Sequence, residues 1–168
     1  MGAALALAGS RSAAATPGYS DDDLALSAFA IGLELTARDL YDAAIAGGAD
    51  EPLWRLMREQ HEGYAHRLAG ITGLSAAERD DATFEALRGG FEASDPTDAA
   101  LDLENTAAAT HTSLVGEVTD AEIAAAMASF VTMESRHAAV LTLRAGRGDD
   151  FDALFLNSAT PLSPEGSS

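Results

Sequence analysis

The chain has 168 residues and no cysteine, which excludes disulfides, thiolate metal ligands, iron–sulfur clusters and cysteine nucleophiles. Its formal charge of -17, from 27 acidic against 10 basic side chains, argues against nucleic acid or an anionic membrane surface as a partner, because both require a basic patch. The length suits one domain with a hydrophobic core of its own.

Residues 1–20 read as a flexible N-terminal segment. An apolar run at 3–8 is followed by small residues, without the basic start of a signal peptide. Two readings of it stand open: a plain cytoplasmic N-terminus, or the remnant of a signal peptide on an exported protein. No stretch is long enough to cross a bilayer, so membrane insertion is not expected. Ser20 with Asp23 three residues on resembles a capping box, and Asp21, Asp22 and Asp23 place negative charge at a helix start. The first helix is predicted over 21–46 and stops at Gly47-Gly48. Its stripe of Ser27, Ile31, Glu34, Arg38, Tyr41 and Ile45 sets Glu34 between apolar turns.

Asp50 is expected to cap a second helix, with Pro52 in its first turn and an end at Gly70 or Gly73. Trp54, Met57, His61, Tyr64 and Leu68 share one face of it. Glu62 and His66, four apart, are the rival inward pair, but they lie about 100° or more from that stripe, on the face of Arg55 and Arg58. Ser75 and Glu78 suggest a third capping box and a short helix to about residue 87, broken by Gly89-Gly90. Residues 91–96 belong to a long crossing link. The next helix is predicted from Thr97 or Asp98 to about Glu117, with Leu101, Glu104, Ala108, His111 and Val115 on one face. Thr119 with Glu122 launches another, in which Ile123, Met127, Phe130, Glu134, His137 and Leu141 form a stripe that ends near Gly146 or Gly148. A short helix through Phe151, Leu154 and Phe155 is expected to pack on the body of the protein, which spans 21–156. Residues 157–168 read as a disordered tail.

A carboxylate and an imidazole one turn apart on an apolar stripe each need a proton, a polar partner or a metal, because an unpaired buried charge is costly. An internal repeat extends this reading. Residues 30–37, AIGLELTA, match residues 100–107, ALDLENTA, without a gap, so Glu34 answers Glu104 and Tyr41 answers His111. Aligning Trp54, Met57 and Leu68 with Met127, Phe130 and Leu141 makes His61 answer Glu134 and Tyr64 answer His137. No phosphate-binding Gly-rich loop, Gly-x-Ser-x-Gly or His-Glu-x-x-His is present; His66 falls one residue late for the last.

These residues make the stretch from Asp21 to Gly146 resemble the ferritin-like superfamily, in particular its bacterial proteins of unassigned function. The resemblance implies an all-α four-helix bundle with one long crossover connection. It also implies a carboxylate-bridged iron or manganese centre, with Glu34 and Glu104 as single glutamates and Glu134-x-x-His137 as one paired motif. At the second paired motif this chain has His61 for the glutamate and Tyr64 for the histidine, which leaves one ion or an uneven pair. The expected ligands are Glu34, His61, Glu104, Glu134 and His137, with Tyr41, Tyr64 and His111 beside them; His111 is open between a ligand and a hydrogen-bonded core histidine. The implied function is transition-metal binding with oxidoreductase chemistry on oxygen or peroxide. The alternative is a metal-free bundle serving as a structural or protein-interaction module. A third reading makes Glu34 and Glu104 an acid–base pair for an organic substrate, although the sequence supplies no pocket for it. The expected partners are metal ions and small oxidants, and the expected assembly is a homodimer.

Overall fold

The computed structural model describes residues 18–49 and 51–164. Among them the fold is all-helical: α1 (Asp21–Ala46), α2 (Pro52–Thr72), α3 (Asp81–Phe91), α4 (Thr97–Glu117), α5 (Ala121–Arg144) and α6 (Phe151–Phe155). None of these helices is long and apolar enough to cross a membrane. The expected Asp50 cap lies outside the described residues, and Glu51 stands at the start of α2 without a capping side chain.

Local chemistry sets the helix ends. Ser20 Oγ accepts from Asp23 N–H at 3.0 Å, closing the first turn of α1. Asp23 in turn accepts from the backbone N–H and the hydroxyl of Thr119, both at 2.7 Å, which ties the start of α1 to the α4–α5 turn. Thr119 is therefore spent on that tie, and Asp120 caps α5 by accepting from the N–H groups of Glu122 and Ile123. Gly73 ends α2 with φ +78°, the left-handed conformation that glycine takes at no steric cost.

The Ser75–Glu78 capping box does not form. Residues 74–80 form no regular element and pass against α1, where Asp80 N–H donates to Thr36 Oγ1 at 2.9 Å, and α3 starts only after Asp80, which caps it. Nor do Gly89 and Gly90 break this helix, which runs on to Phe91. A Cβ built on Gly90 would sit 2.8 Å from Ala99 Cβ, so this glycine lets α3 approach α4 closely. The same construction at Gly89 meets nothing within 4 Å. Gly89→Ala is accordingly expected to stabilise the protein by about 0.5–1 kcal/mol through helix propensity. Gly90→Ala is expected to destabilise it, because overpacking of about 1–3 kcal/mol exceeds that gain. Urea unfolding of the two variants checks this; equal effects would remove the close-approach explanation.

α1 packs chiefly on α2, and α4 on α5. Buried apolar residues form two clusters, one around Tyr41, Trp54, Phe91 and Leu141, the other around Ile31, Leu35, Leu68, Met127 and Phe130. Going along α1 or α5 the chain passes from the second cluster to the first; along α2 or α4 it passes from the first to the second. Each helix in these pairs therefore runs opposite to its mate. The connection from α2 to α4, which contains α3, must return along the length of the helices.

The C-terminal expectations are modified. α6 does lie against α5, with Ala153 and Leu154 partly buried, but its Phe151 and Phe155 stack on each other and are 69% and 79% exposed. The segment 157–164 lies against α4, with Asn157 Nδ2 donating to Asn105 O at 2.7 Å and Leu162 N–H to Thr110 Oγ1 at 2.9 Å. Residues 1–17 and 165–168, which hold most of the expected flexible head and the end of the tail, lie outside the described residues.

Candidate metal centre

Between the two apolar clusters each of the four long helices turns polar residues inward. Glu34 comes from α1, His61 from α2, Glu104 and His111 from α4, and Glu134 and His137 from α5, and all six are buried. The apolar phase on either side forces them there, since rotating any of these helices to expose its polar residue would expose the core stripe with it. The structure settles the choice on α2. His61 is fully buried, whereas Glu62 is an outer residue paired with Arg58 at 2.5 Å, and His66 is exposed.

The six side chains form an alternating chain of imidazoles and carboxylates. His61 bridges two glutamates, its Nδ1 2.7 Å from Glu34 Oε2 and its Nε2 3.0 Å from Glu104 Oε1. His137 Nδ1 lies 3.1 Å from Glu104 Oε2, and its Nε2 meets Gln60 Oε1 at 2.5 Å. His111 Nδ1 lies 2.8 Å from Glu134 Oε1, and its Nε2 is 3.3 Å from Glu34 Oε1 without hydrogen-bond geometry. Tyr41 donates its hydroxyl to Glu104 Oε1 at 2.5 Å.

Mutual charge governs protonation. Burial pulls the His61 imidazole down, but Glu104 and Glu34 at its two nitrogens outweigh this and raise its pKa well above the ordinary value. His111 is raised to about 9 for the same reason: burial opposes, and Glu134 and then Glu34 prevail. Burial pushes the Glu104 carboxyl up, yet His61 and His137 hold it down at about 2. Glu134 goes the other way, to about 6, because burial and the neighbouring Glu34 and Glu104 charges exceed the help from His111. Burial, followed by the Glu104 charge, raises Tyr41 well above the usual phenol value.

Two triads have a donor set suited to a cation. Ligand atoms of His61, Glu104 and His137 lie within 4.8 Å of one another, and so do those of Glu34, His111 and Glu134. Donors about 2.0–2.2 Å from one ion stand at most about 4.4 Å apart, so little contraction is needed. Glu34 links the triads by presenting one oxygen to His61 and the other to His111. The second triad also holds two buried atoms without a hydrogen-bond partner, His111 Nε2 and Glu134 Oε2. Leaving such an atom unpaired costs about 1–3 kcal/mol; Glu134 Oε2 has no partner at all, whereas His111 Nε2 keeps the charge of Glu34 Oε1 at 3.3 Å.

All five expected ligands thus lie in one layer, and His111 joins them on equal terms. Of the residues expected beside them, Tyr41 bonds to Glu104, whereas the buried Tyr64 hydroxyl has no hydrogen-bond partner and its ring stacks on Phe130 at 4.6 Å. Gln60 escaped the sequence reading because it sits at the edge of the α2 stripe, three residues from Met57 and four from Tyr64, and a glutamine there reads as a boundary residue. Comparison with family models, curated proteins and solved structures finds no match to the chain.

Proposed function

We propose that this chain is a ferritin-like transition-metal-binding protein holding one or two iron or manganese ions in the layer of Glu34, His61, Glu104, His111, Glu134 and His137. The observation that carries this reading is the pair of buried triads joined through Glu34, with Glu134 Oε2 buried and without a hydrogen-bond partner. The opposed helix pairs, the long return from α2 to α4 and the internal repeat support the ferritin-like four-helix part of the proposal. Imidazole and carboxylate donors without thiolate suit iron or manganese, and two histidines with one carboxylate is a combination used for non-haem iron.

A bound redox-active ion would supply electron exchange with oxygen or peroxide. The protein's own part is to exclude bulk water with its two apolar clusters, to fix His61 between Glu34 and Glu104, and to hold Glu104 ionised against the Tyr41 hydroxyl. A specific observation favours the second reading, a metal-free bundle serving structure or interaction: His61, Glu104 and His137 already satisfy one another.

Plasma mass spectrometry of the purified protein, beside a Glu34→Ala, Glu104→Ala double variant, separates the two. Iron or manganese near one or two equivalents in the wild type, reduced at least tenfold in the variant, is the expected result. No bound metal in the wild type even after reconstitution would leave the metal-free reading. Zinc alone would keep the site and remove its redox role.

A further inference from the structure

A cleft of about 1200 Å³ opens between α1, α3, α4 and the C-terminal segment 147–162. Its walls are made by the internal repeat. Leu33, Thr36 and Ala37 line it from α1, and their repeat partners Leu103, Thr106 and Ala107 line it from α4. Ala37 and Ala107 put only methyl groups into the space between the two helices at this level and leave it unfilled. Glu34 and His111 also belong to its lining, but each is only 1% exposed, so they sit behind the inner wall of the cleft and are covered from it.

We infer that this cleft binds an uncharged, largely apolar organic molecule, held between the repeated helices α1 and α4. Ligand clefts commonly enclose roughly 300–1000 Å³, so the space suffices for a drug-sized molecule. Leucines and alanines supply the walls, while Asn105 and the threonines supply a few polar contacts. Charge selects against anions: Asp102, Asp150 and Asp152 stand on the lining, and the guanidinium there, Arg147, is paired with Asp98 at 2.9 Å. The cleft itself needs no ion, so the inference does not rest on the proposed metal centre.

The test is fluorescence titration with the neutral probe Nile red and the anionic probe anilinonaphthalene sulfonate, on iron-reconstituted and chelator-treated protein. Ala107→Phe fills the middle of the cleft. Ala86→Trp narrows it from an exposed position on α3 and serves if the first variant does not fold. A Phe151→Ser, Phe155→Ser variant controls for the exposed aromatic pair. Expected is one Nile red per chain, bound at least tenfold more tightly than the anionic probe, weakened at least tenfold by either cleft variant and unchanged by the control. Absence of binding, equal or tighter binding of the anionic probe, indifference to both cleft variants, or loss in the control overturns the inference. Iron retention is measured on the same samples. Iron held without probe binding overturns the cleft inference alone, whereas probe binding without iron retention removes only the metal reading.

Discussion

Truncating Glu104 to alanine is expected to be the most damaging single change to the metal-free protein, lowering its stability by about 3–5 kcal/mol. This carboxylate is fully buried and meets the Tyr41 hydroxyl, His61 Nε2 and His137 Nδ1. Its removal leaves those groups without an acceptor in a core that offers no replacement, and it takes one of two compensating carboxylates away from His61, which keeps only Glu34. Glu104→Gln keeps the volume and one acceptor but no charge, and is expected to cost about 1–3 kcal/mol, the range for unsatisfied buried polar groups. Glu62→Ala, one residue from His61 but on the outer face, removes only a pair with Arg58 and should cost no more than about 1 kcal/mol. In a protein of this size about 4 kcal/mol corresponds to a fall of roughly 10 °C in melting temperature. Thermal and urea unfolding of the three chelator-treated variants therefore ranks them. Glu104→Ala within 1 kcal/mol of the wild type would show that the buried network contributes little.

The helix spans, the inward glutamates and the His61-over-Glu62 choice were legible because a period of 3.6 with an apolar phase leaves few places for a polar residue to point. Legibility failed where a residue's partner came from far along the chain. Thr119 has the spacing of a capping residue, but Asp23, 96 positions away, claims both its donors. Ser75 and Glu78 have it too, yet Thr36 draws the chain across α1 and delays the helix to Asp80. Gly90 reads as a breaker until Ala99 is seen opposite it. At the site, the repeat matched Tyr41 with His111 but could not show that one would donate to Glu104 while the other would bond to Glu134. The cleft was out of reach for a related reason. Alanines at 37 and 107 look like ordinary helix formers, and only the positions of α1, α4 and the C-terminal segment turn them into an opening.

Proton release should accompany metal uptake, because a cation must displace the protons that the carboxylates hold on the histidines. In the metal-free protein His61 is raised well above its ordinary pKa and His111 to about 9, so both carry protons at neutral pH. Binding of one or two divalent ions near pH 7 is expected to release roughly two protons. The same shifts fix the pH dependence of stability. His111, raised in the folded state, contributes stability that is complete below its unfolded pKa of 6.5 and lost as pH rises through about 9. Glu134, raised to about 6, contributes in the same sense, complete below its unfolded 4.5 and lost as pH rises through 6. Glu104, depressed to about 2, contributes stability that is present above 4.5 and lost as pH falls towards 2. The contribution of the site to the metal-free protein therefore peaks at about pH 5 and declines on the alkaline side. Metal binding has the opposite slope, since deprotonated imidazoles are its ligands and tighter binding stabilises the folded state by mass action. The melting temperatures of iron-loaded and metal-free protein should accordingly diverge from pH 5 to pH 9. Calorimetric titration in buffers of different ionisation enthalpy counts the protons, and paired melts at pH 5, 7 and 9 measure the divergence. Iron bound without proton release, with melting curves that stay parallel across that range, would place the ion somewhere other than among these histidines.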